Sequence, residues 1–173
     1  MIVLGETTPY WALSLAYWLH MLATVAWVGA LVALVILVLP AAKKTLEPAA
    51  YANFLGQLQR RLDPLAWLSL AILLATGLFQ MSANPNYTGF LSISNRWAVA
   101  MLLKHLLFIV MIGISAYLTW GILPALRRIA LRQAKGLDAQ SAELLQNRER
   151  FILRMNLVLG ILILALTALA RAA

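Results

Sequence analysis

The chain is predicted to be an all-α integral membrane protein, a four-helix bundle with up-down-up-down topology. Three observations carry this. Of its 173 residues, 63% are hydrophobic and only 12% charged, a balance far from that of soluble domains. Four apolar stretches each approach or exceed the roughly 20 residues that a bilayer-spanning helix needs. The positive charges collect in two of the connections between those stretches.

The first span is Tyr10–Leu39, with Thr8-Pro9 as its cap and first turn. It is too long for the apolar region of a signal peptide and lacks a basic segment before it, so it reads as a retained helix. The second span is Leu62–Met81, where Asp63 beside Arg60 and Arg61 suggests an interfacial ion pair. The third is Trp97–Leu123. Pro40 and Pro124 follow the first and third spans and are expected to break or kink those helices. Gly136 is expected to end an extension of the third helix, and Asp138 to start a short amphipathic helix. The fourth span is Phe151–Ala170, with Asn156 placed to hydrogen-bond another helix. Together the spans form a single transmembrane domain over residues 1–173.

Charge orients the bundle. Lys43, Lys44, Arg60 and Arg61 lie between spans one and two. Arg127, Arg128, Arg132, Lys135, Arg148, Arg150 and Arg154 lie between spans three and four or at the start of four. These are eleven of the fourteen Lys and Arg residues. The positive-inside rule puts both basic loops in the cytoplasm and both termini outside, in a multi-pass protein of the inner or plasma membrane. The net charge of +8 is therefore a topology signal set against lipid headgroups, and does not indicate nucleic acid. The other sizeable connection, residues 82–95, holds the turn Asn84-Pro85-Asn86 and reads as a plain connector. Its Tyr87–Leu91 stretch suits the membrane surface or a cap over a site.

An internal repeat is visible. Leu39-Pro40-Ala41-Ala42-Lys43-Lys44 corresponds to Leu123-Pro124-Ala125-Leu126-Arg127-Arg128, and the same offset pairs Gly29 with Gly113 and His20 with Lys104. The second hairpins match more weakly, through Ala75-Thr76-Gly77-Leu78 and Leu166-Thr167-Ala168-Leu169. Two helical hairpins of one topology would be related by a pseudo-two-fold axis along the membrane normal.

The chemistry-bearing residues are few. There is no cysteine, which excludes disulfides, thiolate metal sites and cysteine nucleophiles. There is no phosphate-binding loop, no serine triad and no pair of buried carboxylates. The only two histidines, His20 and His105, sit at matching depth in spans one and three. Intramembrane ionisable residues are functional candidates by default. Adjacent helices pack at about 8–10 Å, so the diagonal helices of a bundle stand about 12–14 Å apart. That gap is too wide for both imidazoles to bind one small ion, and it suits a haem with one histidine on each side of the iron. Ala16, Tyr17, Ala23, Thr24, Trp27 and Ala30 share the face of His20, small enough for close packing or cofactor contact. Lys104 and His105 point about 100° apart. Lys104 either snorkels to the outer surface or meets a haem propionate. Arg96 either anchors at the interface or meets a propionate. Met101, four residues from His105, would join it in a copper site, because thioethers select Cu(I). Purely structural histidines, hydrogen-bonded between helices, are the remaining alternative.

Several segments resemble the copper-resistance D (CopD-like) family. They are Trp18-Leu19-His20 with Val25-Ala26-Trp27-Val28-Gly29-Ala30, then Arg61-Leu62-Asp63-Pro64-Leu65-Ala66-Trp67 with Thr76-Gly77-Leu78. Leu103-Lys104 and Arg154-Met155-Asn156-Leu157-Val158-Leu159-Gly160 complete the set. This resemblance implies copper uptake or resistance. A more distant similarity joins the chain to a four-helix group that oxidises protoporphyrinogen, which implies a haem held by His20 and an essential role for Lys104. His105 belongs to neither pattern.

The residues lead first to a membrane-embedded b-type haem protein in electron transfer, with His20 and His105 as axial ligands and a quinone or redox protein as partner. Copper transport is the alternative. An oxidase acting on a porphyrinogen, or an accessory subunit of a larger complex or homo-oligomer, comes next.

Overall fold

The computed structural model describes residues 9–133 and 140–172. Every regular element among them is helical. Helix α1 (Tyr10–Val32) passes through a π-helical turn (Ala33–Val38) into α2 (Leu39–Thr45). Helix α3 (Pro48–Ser82) returns. After the 83–95 connection, α4 (Arg96–Tyr117) passes through a second π-helical turn (Leu118–Ile122) into α5 (Leu123–Gln133), and α6 (Gln140–Ala172) completes the bundle. Four helical rods, Tyr10–Thr45, Asn53–Ser82, Arg96–Ile129 and Leu144–Ala172, are long and apolar enough to cross a membrane.

Of the break or kink expected at the two prolines, the break does not occur. Neither Pro40 nor Pro124 ends its helix; each follows a π-helical turn and the rod runs on. A proline lacks the amide hydrogen and its ring crowds the carbonyl four residues back. A wider turn just before it relieves that crowding without breaking the rod. The two π turns stand at corresponding places in the two halves, so the repeat seen in sequence is also a repeat of backbone distortion.

The helices are longer than the apolar stretches. Helix α3 begins at Pro48 rather than near Leu62, carrying Arg60 and Arg61 on exposed helical positions. Apolar composition marks the hydrocarbon layer, and a helix can continue beyond it. Thr8, Gly136 and Asp138 lie outside the described residues; Pro9 occupies the N-cap of α1. The helix after residue 139 is one continuous rod into the fourth span, with no separate short helix among the described residues.

The rods pair as two hairpins, α1 against α3 and α4 against α6. Helix α5 closes the bundle against α3 and α6, and α1 touches α6. Helices α1 and α4 are not among the closely packed pairs, as the diagonal arrangement requires. The main core gathers Trp27, Leu31, Leu34, Met111, Ile122 and Leu157. A smaller cluster of Met81, Trp97, Ala98, Ala100 and Ala170 closes the end next to the 83–95 connection, here called the loop end; the opposite end, with Lys43, Lys44 and Arg150, is the basic end. Trp18, Val25, Leu37, Ile109 and Leu169 point outward, as lipid-facing side chains do. Asn95 caps α4, its Oδ1 accepting from Ala98 N at 2.7 Å, and this fixes where the third rod starts.

Interhelical polar contacts are sparse. Gln80 Nε2 donates to Ala16 O at 3.0 Å. Asn156 Nδ2 donates to Ser115 Oγ at 2.9 Å, tying α6 to α4 as the sequence suggested. The indoles of Trp67 and Trp120 stack at 5.1 Å between centroids. Asp63 makes no ion pair among the described residues. It borders a small internal cavity instead, which corrects the reading of an interfacial pair with Arg60 or Arg61.

A candidate metal and cofactor cavity

His20 and His105 come to one cavity. It has a volume of about 400 Å³ and opens between the hairpins near the loop end. Met21, Met101, Lys104 and Arg171 border it too. A second hollow of about 300 Å³ adjoins it toward the loop end, sharing His20, Met21, Met101, Lys104 and Arg171 and adding Gln80, Asn84 and Asn86. The lining of both hollows among the described residues includes no carboxylate.

The hydrogen bonds settle the tautomer of each imidazole. His20 Nδ1 lies 2.8 Å from Thr76 Oγ1. The Thr76 hydroxyl already donates to Ile72 O at 2.6 Å, so it accepts, and His20 Nδ1 carries the proton. His105 Nδ1 lies 2.6 Å from Met101 O. A carbonyl cannot donate, so this ring is also protonated at Nδ1. In its neutral form each ring therefore has an unprotonated Nε2, the form in which imidazole binds a metal.

The sequence forms this arrangement for local reasons. His20 and Thr76 face each other because α1 and α3 pack as a hairpin. Gly77 leaves room: a β-carbon there would stand 3.4 Å from His20 Cε1, and anything bulkier would press on the ring. Helical side chains lean toward the N-terminus, so His105 reaches back over the turn that carries Met101. From the connecting loop, Phe90 meets the His105 ring edge-on with centroids 5.2 Å apart. The loop is thus a partial cap over the site and more than a connector.

Trp27 is buried and borders the cavity. Lys104 and His105, although about 100° apart on the helix, both border it, because the cavity is wide enough to take neighbouring side chains. Arg96 is exposed and borders neither hollow; the guanidinium that does is Arg171, whose Cζ sits 5.6 Å from the Tyr17 ring centroid. The sequence did not single out Arg171, Thr76 or Gly77 as site residues. A hydroxyl beside a glycine inside an apolar span was the available signal. Among the described residues, no group of three or more His, Asp or Glu converges, so a site of that type is absent from them.

The family model for copper resistance protein D matches residues 56–170. The matched stretch contains Thr76, Met101, Lys104 and His105; His20 precedes it. No curated protein and no solved structure matches the chain.

Proposed function

We propose, from the premise that this chain belongs to the copper resistance protein D family, that it is a multi-pass membrane protein that binds Cu(I) as its cargo in the loop-end cavity. The observation that carries the reading is the pair of free Nε2 atoms in a cavity that also offers thioether sulfur and no carboxylate. Imidazole with thioether suits a soft monovalent cation, whereas hard cations need oxygen ligands. The rods that carry the histidines are diagonal, so the two imidazoles act as separate stations. His105 with Met101 forms one and His20 the other. The basic loops face the cytoplasm in this reading, which places the cavity toward the outside.

One observation favours a second reading. Lys104 and Arg171 border both hollows, and cations at the mouth of a large apolar cavity suit a ligand with carboxylates. His20 and His105 are the residues that would hold the iron of a b-type haem there, and Lys104 and Arg171 those that would hold its carboxylates. Electron transfer with a quinone or a partner protein, or oxidation of a porphyrinogen, would follow from that occupant.

The test is a Cu(I) titration and an absorption spectrum of the purified protein, with His20→Ala, His105→Ala and Met101→Leu alongside. The copper reading expects retained copper that each variant lowers separately. The haem reading expects a Soret band and a low-spin spectrum that either histidine variant abolishes.

A further inference from the structure

A second polar cluster is buried at the basic end of the bundle. Glu149, on α6, has no exposed surface. Its Oε1 accepts from Gln59 Nε2 of α3 at 2.6 Å. Its Oε2 is buried and meets no partner among the described residues, and the same holds for Tyr51 Oη. Tyr51 stands close enough that Glu149 adds to the effect of burial in pushing the phenol up. A buried carboxylate with one amide partner and no paired countercharge is costly, and the protonated acid is not.

A small cavity of about 60 Å³ is bordered by Gln59, which holds Glu149, and by Ser115, Asn156 and Trp27. Asn156 Oδ1 and Trp27 Nε1 are buried there without a partner among the described residues. One is an acceptor and the other a donor, so a water bridging them would satisfy both. A water needs only about 10–15 Å³ of such space, and the cavity exceeds that severalfold. Trp27 also borders the histidine cavity, so a single indole separates the two.

We propose that Glu149 is a proton-exchanging carboxyl and that water held between Trp27, Asn156 and Gln59 carries protons between it and the histidine cavity. In the uptake step a hydronium gives its proton to Glu149 Oε2, forming the O–H bond and leaving water; release is the reverse. Gln59 holds Oε1, so exchange takes place at Oε2. Other charged or titratable groups at this end include Lys43 and Lys44 on α2, Tyr51, Arg60, Arg61 and Asp63 on α3, Arg127 on α5, and Arg150 and Arg154 on α6.

The test uses the full chain in liposomes that trap a pH-sensitive dye, without copper or haem, so that failure of the copper reading leaves it intact. After an external pH step, vesicles with the protein should equilibrate faster than protein-free vesicles. Glu149→Gln, which keeps the amide contact to Gln59, and Asn156→Leu, which fills the cavity, should each remove that difference. Infrared difference spectra between acidic and neutral samples of the unaltered protein should show a carboxyl carbonyl band, absent in Glu149→Gln. Equal equilibration with and without protein, undiminished flux in Glu149→Gln, or the absence of the carbonyl band would each overturn the proposal.

Discussion

His20 Nδ1 donates to Thr76 Oγ1 across the α1–α3 interface at 2.8 Å, and this one contact decides what His20 can do. It holds the ring in a single orientation at the cavity wall and leaves Nε2 without a hydrogen-bond partner among the described residues. Partners of this kind typically contribute roughly 10- to 100-fold to metal affinity. Thr76→Val keeps the shape and removes the acceptor. It should weaken the His20 station by a factor in that range, with helix content unchanged. A Cu(I) competition titration against a chromophoric chelator checks this, with circular dichroism as the control.

Copper binding should fall as the pH falls. A metal binds only the unprotonated Nε2, so protons compete for the same lone pair. Protonation of an ordinary imidazole sets in around pH 6.5. Affinity should be level above the range in which the rings titrate and decline below it, and His105→Ala should make the decline shallower. The same titration repeated across pH measures it.

The bond from Asn156 to Ser115 predicts an asymmetry. Ser115→Ala strands the buried Asn156 amide, which costs about 1–3 kcal/mol. Adding Asn156→Leu removes the stranded group, so the double variant should be more stable than Ser115→Ala alone. Ser115 Oγ also donates to Met111 O at 2.8 Å, so Asn156→Leu alone leaves the hydroxyl satisfied and should cost less. Unfolding in graded denaturing detergent, read by circular dichroism, ranks the three.

The topology is open to a direct check because the chain has no cysteine. A single cysteine at Asn86 should react with a membrane-impermeant maleimide added to intact cells. One at Lys43 should react only after the membrane is opened. The reverse pattern would invert the bundle.

The architecture was largely legible because hydrocarbon imposes a composition. Tyr10–Leu39 and its three counterparts announce themselves by length and apolarity, and Leu39-Pro40 with Leu123-Pro124 exposes the repeat. Helix ends were less legible: α3 begins well before Leu62 because exposed Arg60 and Arg61 ride on a helix that outruns the apolar stretch. The π turns before Pro40 and Pro124 leave no compositional mark. The sequence singled out His20, His105, Met101, Lys104 and Trp27, since polar or bulky groups stand out in an apolar span, and all five border the cavity. It singled out Arg96, whereas the guanidinium bordering the cavity is that of Arg171, near the end of α6 and over the Tyr17 ring. Glu149 gave no signal. It sits among charged residues in sequence, and only the packing of α6 against its neighbours buries it.

The most direct test of the central claim is an anaerobic Cu(I) titration of the detergent-purified protein, with X-ray absorption of the loaded sample. The account predicts bound copper with imidazole nitrogen and thioether sulfur in its shell. The sulfur should be lost in Met101→Leu, and binding should be abolished when His20→Ala and His105→Ala are combined. Copper retention unaffected by that double substitution would contradict it. So would a protein that holds no copper and shows a Soret band instead.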